Sequence, residues 1–398
     1  MSVDPSQYNP YRSLSSHLPP PKALYVHVPF CLRRCGYCDF TLVAENDALI
    51  PAWLEALGNE LGQLDQSFHV DSVFIGGGTP THLSVSKLQQ LFAVIQTKFD
   101  WSVTSEVTIE ANPDGLDDDR LKSLKDLGVN RISLGVQSFD DNVLTFLERQ
   151  HSSVEAIDSV NRTCRYFDNV SLDLIFGVPG QTLQSWRQTL SDAVALPIRH
   201  LSTYGLTYEK GTSFYSRRLH GKLAPVPDEL ERQMYAEAIQ HSVANQFCHY
   251  EVSNFARIDD SRSDSRCRHN LTYWDAKPYF AFGPGAARYL EGVRSTNDRN
   301  VVRWVNKWKK NQLALQDMEQ LDPEARAREG IFLGLRQISG FDERKFAEEF
   351  GFTVEGLSAD ALQKHLNAGL LQRENGRLAL TREGLFVADS VISDFLVP

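Results

Sequence analysis

The chain has 398 residues, 51 of them acidic and 41 basic, for a formal net charge of −10. That length holds two domains, or one large domain with an appendage, and the acidic balance argues against nucleic acid as the main partner. A hydrophobic content of 42% is that of an ordinary globular protein, and no apolar run reaches the roughly 18 residues of a membrane span.

Residues 1–21 are polar and proline-rich and end in His17-Leu-Pro-Pro-Pro21. They lack the basic and apolar regions of a secretory signal, so they read as a flexible lead and the chain as cytoplasmic. Ala23–Val28 then reads as a first strand, followed by three cysteines at 31, 35 and 38. Asp47–Leu64 carries apolar residues at helical spacing (Leu49, Trp53, Leu54, Leu57, Leu61). Ser72–Ile75 is a second strand before Gly76-Gly-Gly-Thr-Pro-Thr81, and Ser84 caps a helix to about Phe99. Val103–Glu110, Arg131–Gly135, Val170–Phe176 and His200–Tyr208 complete six strands, with helical patterns over Leu116–Leu127, Asp140–Leu147, Ser153–Phe167 and from Thr182 to about Leu196.

Strands alternating with helices predict a parallel sheet with helices outside, whose binding groups gather at the C-terminal ends of the strands. The residues that stand out lie there: the cysteines after strand one, the glycines after strand two, Glu110 ending strand three, Gln137 after strand four and Asp173 in strand five.

Beyond Thr212 the pattern changes. Pro227–His241 is a helix with an acidic first turn, Cys248–Phe255 reads as a strand and 257–268 as a polar loop. An aromatic block follows, from His269 to Gly285, then a basic helix over Asn300–Asn311. From Leu321 a separate unit begins. Helices fit Pro323–Arg336, Asp342–Phe350 and Ser358–Asn367. Asn375-Gly376 marks a hairpin over Leu370–Leu380, and Thr381–Phe395 reads as a last helix. Three helices and a hairpin outline a winged helix. Residues 319–398 hold 14 acidic against 9 basic side chains, the wrong sign for neutralising phosphates, so a packing or lid role is expected rather than DNA binding.

Three thiols in one loop point to metal ligation, since disulfides are not the default in a cytosolic chain. Three cysteines do not close a four-cysteine zinc site, although His27 or Asp39 is conceivable as a fourth ligand. They also suit three irons of a cubane cluster, leaving one iron open.

The Cys31-x-x-x-Cys35-x-x-Cys38 spacing resembles the radical S-adenosylmethionine (radical SAM) superfamily. Tyr25-Val-His-Val-Pro-Phe-Cys31, Phe74-Ile-Gly-Gly-Gly-Thr-Pro-Thr81, Ile109-Glu-Ala-Asn-Pro113, Ile132-Ser-Leu-Gly-Val-Gln-Ser-Phe139 and Leu172-Asp-Leu-Ile-Phe-Gly-Val-Pro-Gly-Gln-Thr182 are similar to the oxygen-independent coproporphyrinogen III oxidase (HemN-like) family. The resemblance implies a partial (β/α)6 parallel barrel with a C-terminal helical, winged-helix-like domain. It divides the chain into a flexible lead (1–21), a radical SAM core (22–255), a connecting segment (256–320) and a HemN C-terminal domain (321–398). It further implies a [4Fe-4S] cluster on Cys31, Cys35 and Cys38, with S-adenosylmethionine beside Tyr25, Tyr37, Gly77, Gly78, Thr79, Glu110, Gln137, Arg149 and Asp173.

Two features resemble the HemW branch of haem chaperones. Phe40 stands where the decarboxylating oxidase has a further cysteine, and His269-Asn270-Leu-Thr-Tyr273-Trp274 fits that branch's His-Asn-x-x-Tyr-Trp. The resemblance implies haem contact by His269, Asn270, Tyr273 and Trp274, with Cys267 as a further candidate thiolate. It also implies transfer of haem to haem-dependent proteins such as respiratory enzymes, without coproporphyrinogen oxidase activity. The rival expectation is that oxidase activity itself.

Overall fold

A computed structural model describes residues 9–11, 20–258 and 264–397. Its centre is a nine-stranded sheet. In chain order the strands are β1 (Ala23–Val28), β2 (Ser72–Gly77), β3 (Glu106–Ala111), β4 (Arg131–Gln137), β5 (Asn169–Phe176), β6 (His200–Gly205), β7 (Phe247–Glu251), β8 (Asn254–Arg257) and β9 (Phe280–Phe282). In space they run β7-β8-β6-β5-β4-β3-β2-β1-β9. Seven neighbours, from β9 to β6, are parallel; β8 and β7 add an antiparallel edge. The sheet does not close on itself, as expected of a partial barrel.

The central strands read as near-continuous apolar runs because helices cover the outer face. Leu24, Val26 and Val28 of β1, and Val73 and Ile75 of β2, are fully buried. Helices α1 (Ile50–Leu61), α2 (Val85–Gln96), α3 (Asp118–Asp126), α4 (Asp141–Phe146), α5 (Ser153–Cys164) and α6 (Leu183–Ala195) follow the first five strands. Their starts are chemically marked. Ser84 accepts from the Lys87 N–H, Asp117 from that of Arg120, and Ser152 with Glu155 forms a capping box. Trp53, Leu57 and Leu61 bury the inner stripe of α1.

Several elements differ from expectation. Cys248–Phe255 is a hairpin, β7 and β8, not one strand. At its turn the Val252 N–H bonds to the Arg336 carbonyl at 3.0 Å and the Ser253 carbonyl accepts from Thr203 N–H, so these groups leave the ladder. Helix α7 (Ser213–Leu219) was not foreseen. Helix α8 (Asp228–Ala244) was expected, three residues shorter at its end. The aromatic block contains α9 (Arg268–Trp274) and β9, so part of the expected connecting segment belongs to the main sheet. A three-stranded antiparallel sheet (Ala287–Leu290, Val293–Asn297, Leu315–Gln320) flanks α10 (Val301–Trp308).

The lead is not loose at Tyr11. That side chain is fully buried, stacked on Phe282 and packed edge-on against Trp308. Residues 1–8 and 12–19 of the expected lead, 259–263 of the expected loop and Pro398 lie outside the described residues.

The C-terminal unit opens with α11 (Pro323–Gly334), and its hairpin turns at Asn375 and Gly376, both at positive φ (52° and 75°), as a two-residue turn requires. The expected single last helix is two short ones, Arg382–Leu385 and Ala388–Ser393, with Val387 off helical geometry between them. The unit docks by main-chain bonds: Val252 N–H to Arg336 O, and Ile338 N–H to Tyr250 O. Among the described residues no helix is long and apolar enough to cross a membrane.

Candidate functional site at the C-terminal ends of the strands

An open cleft, with about 950 Å³ of empty space including its mouth, lies over the C-terminal ends of β1 to β5. Cys31, Cys35, Cys38, Tyr37, Gly77, Gly78, Thr79, Glu110, Gln137, Arg149 and Asp173 all line it. Parallel strands deliver these side chains to one end of the sheet, so residues far apart in sequence share a wall.

The three thiols are free. Burial pushes the Cys31 thiol up to about 11, partly offset by Thr79, and pushes Cys38 up as well. Thiolates there depend on the metal that replaces their protons. Among the described residues no three His, Cys, Asp or Glu side chains converge on a point that would hold one metal ion. All three thiols line the one cleft, where three cysteines could hold three corners of a cubane cluster.

Beyond the thiols the cleft is acidic. Glu110 accepts the Gly77 N–H at 2.8 Å, and Ser133 donates to both oxygens of Asp173 at 3.2 Å. Burial raises Glu110 to about 8; the Gly77 bond lowers it and the Asp173 charge raises it further. Burial also raises Asp173, against hydrogen bonds from Ser202 and Ser133 and the charge of Arg131. Two buried carboxylates so placed suit a cationic ligand, and S-adenosylmethionine carries both a sulfonium and an ammonium.

The glycines have a second duty. Gly77 sits at φ +112°, and a Cβ there would lie 2.5 Å from the His27 ring; at Gly78 it would lie 2.6 Å from the Phe30 carbonyl oxygen. They let the loop close on the protein's own groups as well as face the cleft. Gln137 (φ 68°) and Glu148 (φ 58°) are non-glycine residues in the left-handed region, beside the cleft they line, where strain is characteristic of functional sites.

Tyr25 does not line the cleft. It donates to His27 Nδ1 at 2.9 Å, while His27 Nε2 donates to the Thr41 carbonyl at 2.6 Å, and burial lowers His27 to about 4. The Tyr25, Phe74 and His269 rings form one cluster, with Phe74 and His269 nearest each other at 5.3 Å. The His-Asn-x-x-Tyr-Trp stretch lies at the opposite end of the strands. His269 Nδ1 meets Ser72, the first residue of β2, at 3.1 Å, and its Nε2 meets Tyr273 Oη at 2.7 Å. Glu106, the first residue of β3, accepts from the main chain of Arg268 and His269 and from the Cys267 thiol. His269 is 1% exposed and burial lowers it to about 3. Both its nitrogens have hydrogen-bond partners, one of them holding Tyr273. Cys267 is fully buried and pushed up to about 12. Asn270 turns its main-chain N–H to the Cys267 sulfur.

Tyr273 and Trp274 border a second groove, between α9 and α11, with about 760 Å³ of empty space. Tyr279, Tyr289, Arg294 and Arg326 continue its wall. The Trp274 indole N–H is buried without a partner among the described residues.

Sequence reasoning missed Asn112 as a site residue and weighed His27 only as a fourth zinc ligand. A signal existed: Asn112 shares strand parity with Glu110, and His27 with Tyr25.

This arrangement, a three-cysteine loop over the open end of a parallel sheet with an acidic ligand cleft, defines a radical SAM protein. The Radical SAM superfamily profile matches residues 25–193 and that of the HemN C-terminal domain matches residues 321–387. The chain is 36% identical over 384 residues to the "Heme chaperone HemW" of Bacillus subtilis, covering 94% of this chain and 99% of that protein. It is 33% identical to that of Mycobacterium tuberculosis, covering 94% and 95%. Coproporphyrinogen III oxidase (HemN) from Escherichia coli, a radical SAM enzyme, shares the fold with a TM-score of 0.82 at 21% identity, covering 96% of this chain and 91% of that one. The chain belongs to the HemW family of the radical SAM superfamily. That superfamily implies a [4Fe-4S] cluster and S-adenosylmethionine as cofactors.

Proposed function

We propose that this chain is a cytoplasmic haem chaperone, which binds haem and passes it to haem-dependent proteins such as respiratory enzymes. The observation that carries the reading is the groove beside the His-Asn-x-x-Tyr-Trp motif. Tyr273, Tyr279 and Tyr289 offer flat apolar area for a porphyrin, Arg326 offers charge for its carboxylates, and the unpartnered Trp274 N–H is a donor in want of an acceptor. The near full-length likeness to proteins named haem chaperones supports the same reading. In this reading the segment over 256–320 and the C-terminal unit over 321–398 both contribute to the haem groove, α11 supplying its outer wall.

In the cleft, Cys31, Cys35 and Cys38 would hold the cluster, which when bound supplies one electron to the sulfonium of S-adenosylmethionine. Glu110 and Asp173 would face the ligand's positive charge, and Gln137, Thr79 and Tyr37 its polar groups. Tyr25 would act from behind the wall, by fixing His27 against Gly77.

Titration with haemin is expected to give a bound-haem absorption band that Trp274→Ala weakens about tenfold in affinity, about 1.4 kcal/mol. No band in the wild type, with conversion of coproporphyrinogen III under reduction with S-adenosylmethionine, would establish the oxidase instead.

S-adenosylmethionine binding is expected to depend on pH. Below about 8 the ligand-free cleft holds a proton on Glu110. A cationic ligand favours the carboxylate and expels that proton, so affinity rises with pH and levels off above about 8. Calorimetry in buffers of different ionisation enthalpy should detect the released proton, and Glu110→Gln should abolish the slope. An unchanged slope in that variant would remove Glu110 from the site.

A further inference from the structure

Asn112 carries a donor and an acceptor on one planar amide, and its two ends face different partners. Arg149 has only donors, so the atom facing it, 2.7 Å from one terminal guanidinium nitrogen, is Asn112 Oδ1. Nδ2 is thereby turned to Thr79 Oγ1 at 3.1 Å. With that lone pair filled, the Thr79 hydroxyl proton is directed at Cys31 Sγ, 3.3 Å away. The other terminal nitrogen of Arg149 donates to Cys35 Sγ at 3.7 Å. One chain of bonds therefore runs from Cys35 through Arg149, Asn112 and Thr79 to Cys31, and its polarity points a donor at the sulfur at each end.

The chain is fixed from outside. The guanidinium nitrogen that meets Asn112 also donates to the Gly135 carbonyl at 2.8 Å. Arg149 follows Glu148, whose left-handed backbone turns the chain back toward the cleft. Cys38, the third thiol, has its own donor, the main-chain N–H of Phe40. Each sulfur thus has one donor, and the amide of Asn112 decides which way the Thr79 hydroxyl points.

We propose that Asn112 is a positioning residue that directs donors onto the sulfurs of Cys31 and Cys35 and so raises the reduction potential of the cluster they hold. The inference rests on the reading that these cysteines carry a [4Fe-4S] cluster. Hydrogen bonds to cluster sulfurs withdraw electron density and favour the reduced state, and outer-shell partners of this kind tune a metal centre as its ligands do.

The test is a redox titration of the full chain, reconstituted anaerobically without S-adenosylmethionine and followed by electron paramagnetic resonance. Asn112→Leu and Thr79→Val remove the Cys31 donor from opposite ends of the bond that delivers it. Each is expected to lower the ratio of reduced to oxidised cluster about tenfold at the wild-type midpoint, a shift of about 59 mV to more negative potential for a one-electron couple. The double variant should shift little further than either single variant, because Asn112 acts on Cys31 through Thr79, and Thr79→Ser should keep the wild-type potential. Clusters at the wild-type potential in Asn112→Leu and Thr79→Val would overturn the inference, as would a Thr79→Ser shift equal to that of Thr79→Val. A wild type that takes up no cluster would instead overturn the cluster reading itself.

Discussion

Cys35→Ser is expected to yield a folded protein that no longer assembles an iron–sulfur cluster. Cys35 lies in a loop, not in the packed core, and the main-chain bond that shapes this loop, Cys38 N–H to Cys35 O at 3.1 Å, survives the change. The sulfur itself is not replaceable. A serine hydroxyl holds its proton far more tightly than a thiol, so iron would have to displace it at a much larger cost. Two cysteines then remain, and the open iron of a three-cysteine site becomes two open irons. Reconstituted wild type should show visible iron–sulfur absorption and stoichiometric bound iron; Cys35→Ser should show neither, at an unchanged far-ultraviolet circular dichroism spectrum. An intact cluster in that variant would remove Cys35 from the ligand set. Phe40, two residues past Cys38, is 55% exposed at the cleft mouth. Its side chain offers no thiol there, in line with a trio rather than a quartet.

The sheet was legible because its strands are short apolar runs bounded by glycine and proline. Ala23–Val28 has the expected limits, and five further strands fall where expected to within a few residues. The cleft was legible for the same reason, since strand ends in a parallel sheet converge whatever their separation in sequence. What could not be read is what depends on contacts far along the chain. Strand β9 has three residues, too few for a period, and exists because Phe280–Phe282 pairs with Leu24–Val26. The His-Asn-x-x-Tyr-Trp stretch advertises its chemistry but not its depth. Only the fold shows that α9 seals the far end of the strands, with His269 held by Ser72 and Tyr273. The buried ion pair between Glu60 and Arg288 joins α1 to a sheet that no local pattern announced.

Arg288→Met is expected to destabilise the chain by about 3–5 kcal/mol, the usual cost of leaving one member of a buried ion pair behind. Arg288 and Glu60 are both essentially inaccessible, 3.3 Å apart. Glu60 also accepts from Tyr11 at 2.5 Å, from Asn297 at 2.6 Å and from the Gly283 N–H at 2.8 Å. Arg288 donates in turn to Tyr11 and Asn297, and its guanidinium lies over the Tyr11 ring. The network thus ties α1, the strand holding Arg288, the neighbouring strand and the lead into one block. Burial already pushes the Glu60 carboxyl up, and Arg288 is the largest influence holding it down. Without the guanidinium, Glu60 must either stay charged in the interior or take up a proton and lose acceptor strength toward three donors. The urea midpoint of Arg288→Met should therefore fall sharply. Replacing both partners, as Glu60→Leu with Arg288→Met, should cost less than the two single losses added together, because no lone charge remains. Additive losses in that cycle, or a wild-type midpoint for Arg288→Met, would mean that apolar packing and not the ion pair holds this block together.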